Sequence, residues 1–454
     1  MDREKRFWEK PISRRDALRY GFWSVAGLLL ADRLLGQGQT QPAVPAASAA
    51  KTAGKAKAVI QVWLWGGPSH LDTFDPKPEA GYDYCGPFSK PIPTNVDGIF
   101  INELLVELAK CADKYSLIRS MTHGINGHET AAYLVQTGRP PGDQISWPCI
   151  GAVVSFFKGY NAGYKKMIPP YIVITQPQGR FSESGFLGSK YKPFATGGDP
   201  AKTPFTVEGI VAEGVTEERQ LKRREFLASM NSFGSLIPGN PEVVLEAKAR
   251  EEAYGLLLGE EGKIFDLTRE TQEMRDRYGV NTLGQSCLVA RRLVEIGVPY
   301  VTINSGGWDT HKQHFQAMRQ KLPQLDKALA ALIGDLHERG LLDTTVVWCC
   351  GEFGRTPKVD WSPPWNGGRN HFGAVFSCLV AGGGFKGGRV VGASDAKGET
   401  VKERPVYPCD LLGSIYELLG IDPDATLPHP TRTCYVTPRP EEGVKMGGRL
   451  KEIM

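Results

Sequence analysis

Short apolar runs of strand length alternate with longer segments of helical pattern, and this alternation constrains the fold more than any other feature. The runs are Val59-Ile60-Gln61-Val62-Trp63-Leu64-Trp65, Ser116-Leu117-Ile118, Tyr171-Ile172-Val173-Ile174, Tyr300-Val301-Thr302-Ile303, Thr345-Val346-Val347-Trp348-Cys349 and Val375-Phe376-Ser377-Cys378-Leu379-Val380. Helix-like segments occupy 102–114, 242–278, 282–297, 314–339 and 410–419. Strands covered on both faces read as continuous apolar runs, and parallel strands need crossover helices. The expectation is an α/β protein: three layers, αβα, around a mostly parallel central sheet. Residues 51–454 are read as one domain, with insertions near 180–245 and 357–370, where Gly, Pro and charge replace periodicity.

Six of the eight histidines lie in short polar clusters, most of them just past such runs: His70, His123 with His128, His311 with His314, and His371. Ligand sites of α/β proteins gather at strand ends. Imidazole and carboxylate together are what a zinc-type or transition-metal site requires.

Each cluster has its own chemistry. Gly66-Gly67-Pro68-Ser69-His70-Leu71-Asp72 combines a glycine turn with a candidate metal ligand in Asp72, although Ser69 and Asp72 also suit a turn or helix cap. Trp308-Asp309-Thr310-His311 is the sharpest motif: Asp309 and His311 can point at one ion, with His314 as a further ligand or a group behind it. In Gly351-Glu352-Phe353-Gly354-Arg355-Thr356, Glu352 is a candidate ligand and Arg355 a candidate anion clamp, because its planar fork matches phosphate or sulfate oxygens; the two also suit pairing with each other. His371 follows Arg369-Asn370 at the end of the aromatic insertion, which is a candidate substrate rim.

The first thirty-five residues read as an export signal. Ser13-Arg14-Arg15-Asp16-Ala17-Leu18 precedes the short apolar stretch Phe22 to Ala31, the twin-arginine pattern. That stretch is shorter than the roughly 20 residues a membrane span needs. A Gln/Pro/Ala linker then leads to Ala47-Ser48-Ala49, a plausible cleavage site that would leave about 405 residues and no stable transmembrane helix. Residues 1–50 carry eight Lys/Arg and five Asp/Glu, so the 54 against 50 of the full chain becomes 46 against 45. The mature chain is nearly neutral, which argues against nucleic acid as a partner. Nine scattered cysteines without a CxxC pair suggest buried free thiols, compatible with export of a protein folded in a reducing compartment. Gly382-Gly383-Gly384 lacks dinucleotide spacing and reads as a turn; there is no GxSxG elbow and no phosphate-loop lysine motif.

Four segments together resemble one family. Trp65 to Pro78, Gly307-Trp308-Asp309-Thr310-His311, Gly351 to Pro357 and Ala381 to Gly388 are similar to the signatures of the "domain of unknown function 1501" family, whose members commonly carry twin-arginine signals. The resemblance spans roughly 55–440 and implies a fold similar to the alkaline phosphatase and sulfatase superfamily. Members resembling alkaline phosphatase hold two divalent ions at strand ends, and here Asp72, Asp309 with His311, Glu352 and His371 fall in the matching order. Phe353 stands where the later pair would have its histidine. The run His128 to Arg139 is similar to a sulfatase segment ending in Thr-Gly-Arg, which puts His128 at the usual Cys or Ser nucleophile position. No Cys-x-Pro/Ala-x-Arg exists in the chain. Attack by a metal-activated water, by His128 itself or by Thr130 all stay open.

The expectation is therefore a periplasmic or otherwise extracytoplasmic metal-dependent hydrolase of phosphate or sulfate esters. One or two divalent ions (zinc, manganese, magnesium or calcium) would be held by Asp72, Asp309, His311, Glu352 and His371, with His128, Thr130 and Arg355 around the reacting ester. Its partners would be an anionic ester, carbohydrate-linked among the options, and the twin-arginine translocon during export. The alternative is a non-catalytic binding protein of the cell envelope built on a hydrolase scaffold.

Overall fold

A computed structural model describes residues 54–454 except 143–144, 178–182, 212–213, 231–246, 248–250 and 252–253. The expected signal and linker of 1–50 lie outside the described residues, as do 180–182, 212–213 and 231–245 of the expected insertion; the rest of that insertion supplies a short strand, Phe194–Ala195, and a helix, Glu217–Met230.

The central sheet has eight strands: β1 Ala58–Leu64, β2 Tyr115–Met121, β3 Tyr171–Ile174, β4 Phe194–Ala195, β5 Tyr300–Ser305, β6 Thr345–Cys350, β7 Phe376–Ala381 and β8 Arg389–Val391, in spatial order β8-β2-β7-β6-β1-β5-β3-β4. The pairs β1/β5, β1/β6, β5/β3, β3/β4 and β2/β8 are parallel. Only β7 opposes its neighbours, pairing antiparallel with β2 and β6.

Burial explains the layering. All seven residues of β1 are buried, so both of its faces are covered. Ala58, Ile60, Val62 and Leu64 join one core with Val301, Ile303 and the apolar faces of helices α2 (Thr282–Glu295) and α3 (His314–Glu338). Alternate residues point the other way: the Gln61 carboxamide oxygen accepts from Tyr300 and Thr302 at 3.1 and 2.9 Å, and the rings of Tyr171 and Tyr300 stand 5.3 Å apart. On that side lie the segment Ile150–Val154, whose Gly151 sits directly against the Tyr171 ring, and helices α1 (His128–Thr137) and α4 (Pro408–Leu418), packed on each other. The result is the expected three-layer αβα arrangement.

Local signals set the helix starts. Asn281 accepts the Gly284 N–H at 3.0 Å to open α2, and Asp410 accepts the Tyr407 N–H at 2.8 Å beside Pro408 to open α4. The helix expected over 102–114 shortens to a single turn, Val106–Ala109. Asp326 on α3 takes the Glu107 and Leu108 N–H groups at 2.8 and 2.7 Å, which fixes its start.

Register brings three strand ends level. Trp63 pairs with Cys350 and Leu64 with Ser305, so β6, β1 and β5 stop at one rim. There Trp65 N–H donates to the Ser305 carbonyl at 2.9 Å, and Trp308 N–H to the Trp65 carbonyl at 3.1 Å. Because β7 runs backwards, its start lies at the same rim, and His371 just before it pairs across to Arg355.

Candidate metal centre

The rim turns require glycine. Gly66 has φ +114°, and a Cβ there would lie 2.2 Å from the Asp309 nitrogen; at Gly67, φ +78°, it would strike the Phe353 ring at 2.5 Å. This close approach brings the segment after β5 against the turn after β1.

Around Asp309 stand three imidazoles. Its carboxylate lies 3.3 Å from His128 Nε2, 3.1 Å from His371 Nε2 and 3.0 Å from His311 Nε2. The His128, Asp309 and His371 ligand atoms all fall within 4.8 Å of one another. His311 joins at the edge, its Nε2 2.9 Å from His371 Nε2. The centre is open: Asp309 is exposed and the three rings are half-buried.

The outer hydrogen bonds fix which nitrogen carries the proton. His371 Nδ1 lies 2.7 Å from the Asn126 carbonyl, which can only accept, so Nδ1 is the protonated nitrogen and Nε2 presents a lone pair. His128 Nδ1 donates to Glu352 at 2.5 Å, and His311 Nδ1 donates to the Asn370 side-chain oxygen at 2.9 Å. Three imidazoles thus aim Nε2 toward one carboxylate, each held through Nδ1 by an acceptor behind it. That is the outer support expected of metal-bound histidines. Two nitrogens and a carboxylate oxygen, with room for a further group, fit a transition or zinc-type ion better than magnesium or calcium, which prefer oxygen alone.

The charge states of His371 and Asp309 agree with this geometry, whereas that of His128 favours its charged ring while no cation competes for Nε2. Burial pulls His371 below its usual range, favouring the neutral ring. Burial pushes the Asp309 carboxyl up, but the Arg355 guanidinium overrides it and holds the group at about 2. The Glu352 hydrogen bond raises His128, and burial raises Glu352.

The remaining expected residues are placed as follows. Glu352 is fully buried; its carboxylate holds His128 and accepts the Gly66 N–H at 2.9 Å, so it orients the His128 ring and does not itself face the centre. Arg355 is buried too and spends its donors on the Gly67, Arg369 and Gly66 carbonyls and on Asp309, which leaves no open anion clamp. Asp72 is not brought to the cluster: Arg369 Nε at 2.7 Å and His314 Nε2 at 2.8 Å claim its carboxylate in a buried ion pair. Thr130 lies in the first turn of α1, two residues past His128, and positions i and i+2 do not share a helix face. His70 is buried with Nε2 on the Gly398 carbonyl at 2.9 Å, and His123 Nε2 donates to the Glu352 carbonyl at 2.7 Å.

Two groups escaped sequence reading. Asn126 contributes a backbone carbonyl, which carries no residue-type signal. Asn370 stood beside His371 in the motif and could have been paired with His311 only by knowing the fold. Phe353, where a second histidine was sought, packs its ring 4.8 Å from His371 and 5.0 Å from His128. It is an apolar wall against both imidazoles.

The family model described as "Protein of unknown function (DUF1501)" matches residues 56–437. The chain belongs to this family. Every residue of the centre lies inside the span that matches the DUF1501 family. No curated protein matches the chain. Among solved structures, a lipoteichoic acid synthase from Listeria monocytogenes is 9% identical with TM-score 0.36, the match covering 85% of this chain and 75% of that one. A protein in the alkaline phosphatase superfamily from Vibrio parahaemolyticus is 12% identical, TM-score 0.35, covering 83% and 69%. A sulfatase from Pseudoalteromonas sp. is 13% identical, TM-score 0.32, covering 80% and 68%. Among the described residues of this DUF1501 chain, no helix is long and apolar enough to cross a membrane.

Proposed function

We propose that the chain is an exported metal-dependent hydrolase of phosphate or sulfate esters. One ion would be held by His128 Nε2, Asp309 and His371 Nε2, with His311 as a fourth donor. The observation that carries this reading is the convergence of three imidazole Nε2 atoms on the Asp309 carboxylate from three separate chain segments, around residues 128, 311 and 371. A divalent ion bound there supplies Lewis acidity toward an ester oxygen and brings the pKa of a bound water down to about 7.

The chain's own groups do the rest. Arg355 fixes Asp309, while Glu352, Asn126 and Asn370 fix the imidazole tautomers. Phe353 excludes water from one side of His128 and His371. The Glu352–His128 pair holds a proton between Oε1 and Nδ1, at 2.5 Å. Water is the nucleophile this arrangement supports: both His128 nitrogens are engaged, and Thr130, two residues on in the same helix, does not share the face of His128. Arg355 and a divalent cation outweigh Asp309 and Glu352, so the centre suits an anionic ester.

The test is turnover of aryl phosphate and aryl sulfate esters by purified protein with added zinc, manganese, magnesium or calcium. Turnover abolished by chelation and restored by zinc or manganese supports the proposal; silence across the panel with metal bound refutes it. The sealed Arg355 favours the second reading, a binding protein of the envelope that holds an anion at its metal without turning it over. Saturable phosphate or sulfate binding without turnover would identify it.

A further inference from the structure

Beside the candidate metal centre runs a groove of about 240 Å³, lined by Tyr82, Phe315, Trp361, Gln313, Gln316 and Asn366 together with Pro87. Three of these side chains are aromatic, three are amides and one is a proline ring. No charged side chain is among the described residues lining it. Such a lining suits neither the anionic group, which the centre itself attracts, nor a purely apolar one.

The aromatic wall is a continuous stack. Phe315, buried at 7% exposure, stacks on Trp361 at 5.6 Å and 15°, and Trp361 stacks on Tyr82 at 5.0 Å and 10°. Trp361 is 37% and Tyr82 64% exposed, so the stack rises from the core and ends in solvent. Stacked aromatic side chains offer large amphipathic contact area at little entropic cost on binding. Gln313, Gln316 and Asn366 are exposed, and each amide both donates and accepts.

Position ties the groove to the centre. Gln313 follows His311 by two residues, a reach of at most about 7 Å. Its N–H donates to the Trp365 carbonyl at 3.0 Å, and the His314 N–H to the Gly367 carbonyl at 3.1 Å, which lays the aromatic insertion along this segment. Trp365 in turn stands 6.3 Å from the His311 ring. A molecule with its charged ester at the centre would extend its neutral remainder across the amides onto the aromatic wall.

We propose that this groove is the subsite for an uncharged sugar ring, so that the ester taken by the centre is borne on a carbohydrate. A sugar ring presents C–H faces to an aromatic surface and hydroxyls around its edge that amides satisfy in both directions. The inference rests on the hydrolase reading but names the substrate class that reading leaves open.

Its test is independent of turnover. Wild-type protein is titrated calorimetrically with neutral hexasaccharides from cellulose, chitin, mannan, agar and starch, beside Tyr82→Ala, Trp361→Ala and Gln316→Ala, with the metal content of each measured. The expected result is binding of at least one hexasaccharide, weakened tenfold or more in the Tyr82 and Trp361 variants while their metal content matches wild type. Asp309→Ala, which should lose the metal, should still bind the sugar. Failure of every hexasaccharide to bind, or binding indifferent to Tyr82 and Trp361, overturns the subsite. Absence of metal from wild type would overturn the hydrolase reading while leaving sugar binding readable.

Discussion

Glu352 and His128 share a 2.5 Å hydrogen bond between segments 224 residues apart, and the carboxylate is fully buried while the imidazole is half-exposed. The acid cannot reach a ligand in solution except through the ring it orients. Removing such an outer partner commonly weakens metal binding about 10- to 100-fold. Glu352→Ala should therefore lose zinc affinity by that factor in a chelator competition, and Glu352→Gln, which keeps an acceptor, should lose less. Equal affinities for both variants and wild type would contradict the role.

Asp72→Asn should leave metal content unchanged and reduce stability. The substitution removes the charge facing Arg369, which is 1% exposed, and breaking a buried pair from one side costs about 3–5 kcal/mol. Urea unfolding beside elemental analysis checks both halves. Loss of the metal in a folded Asp72→Asn would return Asp72 to the ligand set.

The same pair sets an acid limit. Burial opposes ionisation of Asp72, but Arg369 and His314 override it and hold the carboxyl at about 2. Burial pulls His314 below its usual range. The unfolded chain takes up these protons near pH 3.9 and 6.5. In both cases the unfolded state binds more protons on acidification, so stability is fully present above about pH 6.5. It declines below that point as unfolded His314 charges, and falls further from about pH 4 toward 2 as unfolded Asp72 protonates. Urea midpoints at pH 7.5, 5.5 and 4 should decrease in order, and a flat series would contradict this.

Phe353→Ala should destabilise the fold by about 3–5 kcal/mol, the usual cost of truncating a buried phenylalanine. The ring is fully buried and lies against Gly67, His128 and His371. An unfolding midpoint like that of wild type would show that the ring is not a structural wall.

Much of this was legible in the sequence because burial on both faces of a sheet leaves a continuous apolar signature. The runs at Val59, Tyr300, Thr345 and Val375 all became strands of the central sheet, and 282–297, 314–339 and 410–419 became helices within a few residues. The reversed direction of β7 was not legible, since an apolar run carries no sign of which way it points. At the centre, residue types marked Asp309, His311 and His371, and the spacing back from Thr137 drew attention to His128. What the motifs could not show was which charges would be claimed by neighbours far along the chain. Asp72 reads as a ligand until Arg369 and His314 are seen beside it, and Arg355 reads as a clamp until its donors are found on backbone carbonyls.

The most direct measurement is an anomalous difference map from crystals of the protein grown with zinc, collected on both sides of the zinc absorption edge. The account predicts one strong peak bonded to His128 Nε2, His371 Nε2 and an Asp309 oxygen, at about 2.0–2.2 Å from each. A map with no peak among these three residues, or with zinc on Asp72 instead, would contradict it.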